Sequence, residues 1–200
     1  WSATFQAEEI HLTAINPDWP SQIFRQATVQ SQGTLEEYSL VIDAATGLPG
    51  LAQPVTLKAE IQGDGQGMEF SKLHLGQNKA ALSAQGSLQW QPHLSWQADI
   101  QGTDIDPSVF FAQWPGHFAG NLTTKGEWAD SPTATFQLTG LQGTLRNYPL
   151  SGHGEMRLQG QHLVIPQFLL TSGGSTLTIK GDATSTLDFP FSLHSGNLVE

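Results

Sequence analysis

Leu163-Val-Ile-Pro-Gln-Phe-Leu-Leu170 decides the fold. Leu163 and Ile165 share one parity, and Phe168 and Leu170 share the other. Period-two alternation is the mark of a half-buried strand, and a slip of one residue marks a bulge or tight bend that re-aims the rest of the strand. Pro166-Gln167 falls at the slip, where proline costs little because the ladder is already interrupted. Met68-Glu-Phe-Ser-Lys-Leu-His-Leu75 shows the same slip at Ser71-Lys72.

Working outward, strand patterns fill the chain. Val55, Leu57, Ala59 and Ile61 alternate with Thr56, Lys58, Glu60 and Gln62. Leu94, Trp96, Ala98 and Ile100 alternate with Ser95, Gln97 and Asp99. Ala134, Phe136 and Leu138 do so against threonine and glutamine, and Phe189, Phe191 and Leu193 close the series. One apolar and one wet face per strand predicts antiparallel pairing. Turns are rich in glycine and proline, as at Gly63-Asp-Gly-Gln-Gly67 and Ser172-Gly-Gly174. Only two short stretches suit a helix, Pro17–Arg25 and Pro107–Trp114, the second led by Asp106 as an N-cap.

The two slips belong to an internal repeat. A shift of 95 residues places Trp1 on Trp96, Ile10 on Ile105, Phe70 on Ile165, Leu75 on Leu170 and Gly86 on Gly181. This predicts a first groove repeat over 1–95 and a second over 96–200, forming one continuous unit. GTLEEYSL from Gly33 matches GTLRNYPL from Gly143 at a different offset, 110, as if the first copy lacked about one hairpin arm before that block and carried extra residues after it. Trp1 and Leu193 both sit within strand patterns, so the chain reads as a slice of a longer protein.

Composition bounds the function. Eighteen acids against eight bases give a net charge of −10, so nucleic acid is not an expected partner. No cysteine is present, which rules out disulfides and thiolate metal sites. No run is long and apolar enough for a transmembrane helix. Seven scattered histidines match no zinc spacing. The close acids Glu8-Glu9, Glu36-Glu37 and Asp104/Asp106 read as strand and turn residues rather than a catalytic pair. No metal, cofactor or enzymatic activity is expected. Trp19 and Trp114, each before a proline, read as packing around a loop. With no amphipathic helical layer to cover it, the apolar face must close as a sandwich or barrel, or line an open groove that takes a ligand.

The order and spacing of two stretches add a resemblance. LTGLQGTLRNYPLSGHGEMRLQGQHLVIPQFLLTSGGSTLTIKGDA (138–183) and DIDPSVFFAQWPGHFAGNLTTKGEW (104–128) resemble the TamB family, the translocation and assembly module subunits. The resemblance is clearest from Ile105 to Leu193 and extends over Trp1 to Ile100. It implies an all-β, elongated, strongly curved, mostly antiparallel sheet, a β-taco with an apolar interior. It implies a periplasmic segment of a parent anchored in the bacterial inner membrane and partnered with the outer-membrane barrel TamA. The implied cargo is phospholipid acyl chains or unfolded outer-membrane protein strands, including autotransporters. No catalytic residue carries over. The implied lining is Val55, Leu57 and Ile61 with Leu94, Trp96 and Ile100 in the first part. Phe136, Leu138, Leu163, Ile165, Phe168 and Leu170 continue it, then Leu177, Ile179, Phe189 and Phe191.

Overall fold

A computed structural model describes residues 1–11, 13, 23–34, 36–47, 54–109, 112–183 and 191–195. The strands are β1 (Ser2–His11), β2 (Ile23–Gly33), β3 (Glu37–Thr46), β4 (Val55–Asp64), β5 (Gly67–Gln77), β6 (Ala80–Gln89) and β7 (Leu94–Ile105). They continue as β8 (Gly116–Trp128), β9 (Thr133–Leu145), β10 (Tyr148–Gln159), β11 (His162–Ser172), β12 (Ser175–Ala183) and β13 (Phe191–Ser195). All thirteen form one sheet in which each strand pairs with its neighbour in sequence. Every pair is antiparallel, and β1 and β13 flank an open ladder rather than meeting as a barrel.

The ladder registers assign the faces, because residues directly opposite in an antiparallel pair point the same way. Leu57 stands opposite Leu75 and Ala59 opposite Leu73. Leu88 faces Trp96 and Ala84 faces Ile100. Leu122 stands between Ile100 and Leu138. Leu170 faces Leu177, and Phe168 faces Ile179. The apolar sets of successive strands therefore join into one face, and the glutamine, serine and threonine positions make the other.

The slips are one-residue bulges. Between β11 and β12 the pairing steps from Ile165↔Gly181 to Phe168↔Ile179, three residues against two. Between β5 and β6 it steps from Phe70↔Gly86 to Leu73↔Ala84. Pro166 and Ser71 are the residues left without an opposite number on both sides of their strands. The extra residue absorbs the change of parity, so Leu163, Ile165, Phe168 and Leu170 share one face. Further one-residue bulges occur in β2, β7 and β9, with positive φ at Gln26, Asp104 and Gly140. Bulges bend a strand and increase its twist, which gives the sheet its curvature.

Burial shows which face is concave. The buried residues are Ala27, Ala44, Thr46, Val55, Ala59, Ala84, Gly116, Thr124, Ala134, Leu150 and Ala183, and all stand on the apolar face. Side chains crowd on the inside of a bend and splay on the outside. Yet no large side chain among the described residues is fully buried. A dry sandwich core needs such side chains, whereas an open trough does not.

Two expectations change. Ile23–Arg25, the end of the helix expected over Pro17–Arg25, belongs to β2, and its earlier part lies outside the described residues. The helix expected over Pro107–Trp114 is a single 3-10 turn at Pro107–Val109. Asp106 starts that turn by accepting the Ser108 N–H at 2.9 Å, and it also accepts the Gly116 N–H at 3.4 Å. The Gly33 and Gly143 blocks fall as their offset implies: two strands, β1 and β2, precede the first and three, β7 to β9, precede the second, so the first copy has one arm fewer before the block and one more after it. Six strands run from β1 to β6 and six from β7 to β12. The GTLEEYSL block turns between β2 and β3, and GTLRNYPL turns between β9 and β10, at the opposite rim. The offset of 110 therefore matches two similar turns at different places in the six-strand unit.

Candidate functional site: an apolar trough

The ladder registers place the expected lining positions from Val55 to Ile179 on one face. Val55 is buried, and Leu94 is exposed at the rim. Leu57, Ile61, Trp96, Ile100, Phe136 and Leu138 are half-buried, as are Leu163, Ile165, Phe168, Leu170, Leu177 and Ile179. Phe191 pairs with Ile179 in the ladder. Phe189 and Trp19 lie outside the described residues. Trp114, expected to pack around its loop, is 47% exposed.

The trough floor has a feature that alternation does not disclose. Five aromatic residues stand opposite glycines on the neighbouring strand, and beside Phe118 with Gly143 four of these pairs bring the ring onto the glycine: Tyr38 with Gly63, Phe70 with Gly86, Trp96 with Gly126 and Phe168 with Gly154. A Cβ would stand 2.5 Å from the Tyr38 hydroxyl oxygen, 2.9 Å from Phe70 Cζ, 2.4 Å from Trp96 Cζ2 and 2.4 Å from Phe168 Cδ2. Glycine on a sheet face gives up side-chain packing, and a ring laid across it restores that contact. The rings thus lie along the floor rather than across the trough. The available signal was glycine interrupting an apolar parity, as Gly152 and Gly154 do between Leu150 and Met156.

The polar groups within the trough are paired. Trp96 Nε1 donates to Thr124 Oγ1 at 3.1 Å, and Thr46 Oγ1 donates to the Ile23 carbonyl at 2.8 Å. At one rim Trp90, 39% exposed, donates its indole N–H to the Gly65 carbonyl at 3.0 Å. Trp128, at the end of β8 on the same rim, stands opposite Leu94 and is 61% exposed.

The other face is wet. Lys58 pairs with Asp43 at 2.8 Å and Lys72 with Glu60 at 3.0 Å, both exposed. The wider recesses open here, one of about 800 Å³ beside Gln62 and Asp64 and one of about 680 Å³ beside Gln85 and Gln101. In the second, His74 Nδ1 meets Ser83 Oγ at 3.0 Å and Thr123 donates to Asp99 at 2.9 Å. Such linings suit water better than apolar cargo, so size does not decide the site. Among the described residues no three His, Asp or Glu side chains stand together in a way that would hold a metal ion. Asp104 pairs with His117 Nδ1 at 3.0 Å. The Asp106 carboxyl is held below its ordinary range by hydrogen bonds from the Ser108 hydroxyl and N–H, with smaller help from the Gly116 N–H and His117.

One open sheet with a continuous, incompletely buried apolar face defines a β-groove protein. A family model described as TamB, N-terminal domain, matches residues 9–199, so the chain belongs to the TamB family. Comparison with curated proteins and with solved structures gave no match. No helix among the described residues is long and apolar enough to cross a membrane.

Proposed function

We propose that this chain is a non-enzymatic segment of an envelope-spanning groove, in which phospholipid acyl chains are shielded from water as they move between inner and outer membranes. One observation carries the reading: large apolar side chains share a concave face, and among the described residues none of them is fully buried. Each methylene sheltered there contributes about 0.8 kcal/mol. Such contacts are non-directional, so a chain can shift along them without breaking a specific bond. In the middle of the sheet the backbone N–H and C=O groups already serve the ladder. A polypeptide lying in the trough would desolvate its own amides against hydrocarbon, at about 1–3 kcal/mol for each one left without a partner. An acyl chain has no such cost.

In this reading the segment works in the periplasm within a parent anchored in the inner membrane, with the barrel TamA as its outer-membrane partner. Outer-membrane protein and autotransporter assembly would draw on the same route. The alternative reading is a chaperone-like module that holds unfolded β-strands of outer-membrane protein clients by edge pairing.

Photo-cross-linking from Leu170 in the full-length protein, with Thr171 on the opposite face as control, separates these readings. Phospholipid adducts at Leu170 and few at Thr171 are expected. Polypeptide adducts at Leu170, or equal lipid labelling of both faces, would overturn the acyl-chain reading.

A further inference from the structure

Where β9 to β12 cross the floor, Phe136, Leu138, Met156, Ile165, Phe168 and Ile179, with Gly154 and Glu155, line a recess of about 240 Å³. We propose that Gly154 is a specificity-determining residue: by letting the Phe168 ring lie flat, it opens a resting site for one linear hydrocarbon chain. The inference rests on the acyl-chain reading and assigns one place and one residue to it.

The geometry is local. Gly154 stands opposite Phe168, and a Cβ there would meet Phe168 Cδ2 at 2.4 Å, with the next contacts at 3.1 Å also on Phe168. A side chain at 154 must therefore lift the ring toward the recess. The other three pairs with a ring on the glycine differ, because at Gly63, Gly86 and Gly126 a Cβ also meets neighbouring backbone oxygen within 2.8 Å. The repeat makes the same point. Shifted by 95 residues, Gly154 and Phe168 become Ala59 and Leu73, which also stand opposite each other. A smaller partner there accompanies a larger floor residue, and Ala59 is only 4% exposed. The second copy trades a methyl group for a flat ring.

The lining selects the occupant. Six hydrocarbon or thioether side chains line the recess, and Glu155, the one charged residue that lines it, pairs with Arg157. Gly154, Phe168 and Ile179 hold consecutive places in the β10–β11–β12 ladder. Apolar cavities of about 150 Å³ hold a benzene-sized guest, so this recess suits a short run of methylenes.

The test uses the full-length protein and phosphatidylethanolamine with a mid-chain diazirine, delivered from vesicles. Labelling is read by mass spectrometry in the peptide containing Gly154 to Phe168 and, as an internal control, in the peptide containing Phe70 to Leu82. Gly154→Val should lower labelling of the first peptide about tenfold, the effect of displacing roughly two methylenes, and leave the second unchanged. Gly154→Val with Phe168→Ala should restore it. If Gly154→Val does not fold, Ile179→Phe fills the same recess from β12 and should give the same selective loss. Unchanged labelling in the folded variants, or no restoration in the double variant, overturns the inference. Absence of label anywhere in the wild-type trough overturns the acyl-chain reading instead.

Discussion

Trp96 donates its indole N–H to Thr124 Oγ1 at 3.1 Å across the β7–β8 pair, and Thr124 is only 8% exposed. A polar bond thus sits in an apolar floor, fixing a ring that also lies over Gly126. Thr124→Val keeps the shape and removes the acceptor. The indole N–H is then left facing hydrocarbon, so a loss of about 1–3 kcal/mol is expected. Thr124→Ser should retain most of the stability. Urea unfolding monitored by tryptophan fluorescence measures both, and equal midpoints for Val and wild type would show that the bond contributes nothing.

Phe168 tests the trough by charge. Phe168→Ala removes apolar contact but leaves an apolar floor, so lipid cross-linking from Leu170 should weaken without vanishing. Phe168→Glu places a carboxylate among Leu170, Ile165 and Ile179, where burying it without a partner is costly and hydrocarbon is repelled. Cross-linking and function in the full-length protein should both fail while strand content by circular dichroism is kept. A folded Phe168→Glu protein with normal cargo binding would sink the trough reading.

The strands were legible because each carries its own pattern. Val55, Leu57 and Ile61 declare their face by parity alone, and the bends at Ser71-Lys72 and Pro166-Gln167 declare themselves by breaking it. Cross-strand relations were not legible. Phe168 and Gly154 are close because of the β10–β11 register, and neither strand read alone encodes it. The Gly33 and Gly143 blocks were legible as turns at different places in the repeat, because similar turn residues suit similar turns wherever they fall. Pro107 and Asp106 correctly signalled the start of a helical turn. Capping residues fix where a turn begins, however, and not how far it runs.

Asp106 carries a pH dependence. Its carboxyl is depressed in the folded chain, chiefly by the Ser108 hydroxyl and N–H. A depressed carboxylate adds stability that is fully present above the unfolded value, about 3.9, and is lost as pH falls through the lower folded value. Ser108→Ala should therefore move the Asp106 titration, monitored by NMR, up toward the ordinary range. Asp106→Asn should remove this part of the acid dependence of the melting temperature. An Asp106 titration unchanged in Ser108→Ala would show that the hydroxyl is not the main cause.

Pro166 allows bend and face to be separated. It is the one extra residue of β11 against both β10 and β12. Deleting it should put Ile165 and Phe168 two places apart, so all four apolar side chains from Leu163 to Leu170 keep their face while the bulge disappears. The deletion variant should fold, melt close to wild type, and straighten locally, which small-angle scattering would register as a more extended particle. Deleting Thr178 from the regular ladder of β12 is the contrast. It must send either Leu177 or Ile179 to the wet face, at about 1.5–3 kcal/mol for each side chain turned out. That variant should lose protection from proteolysis across β11 to β13. If both deletions melted alike, the bulge would not be the device that reconciles the parity slip with a single apolar face.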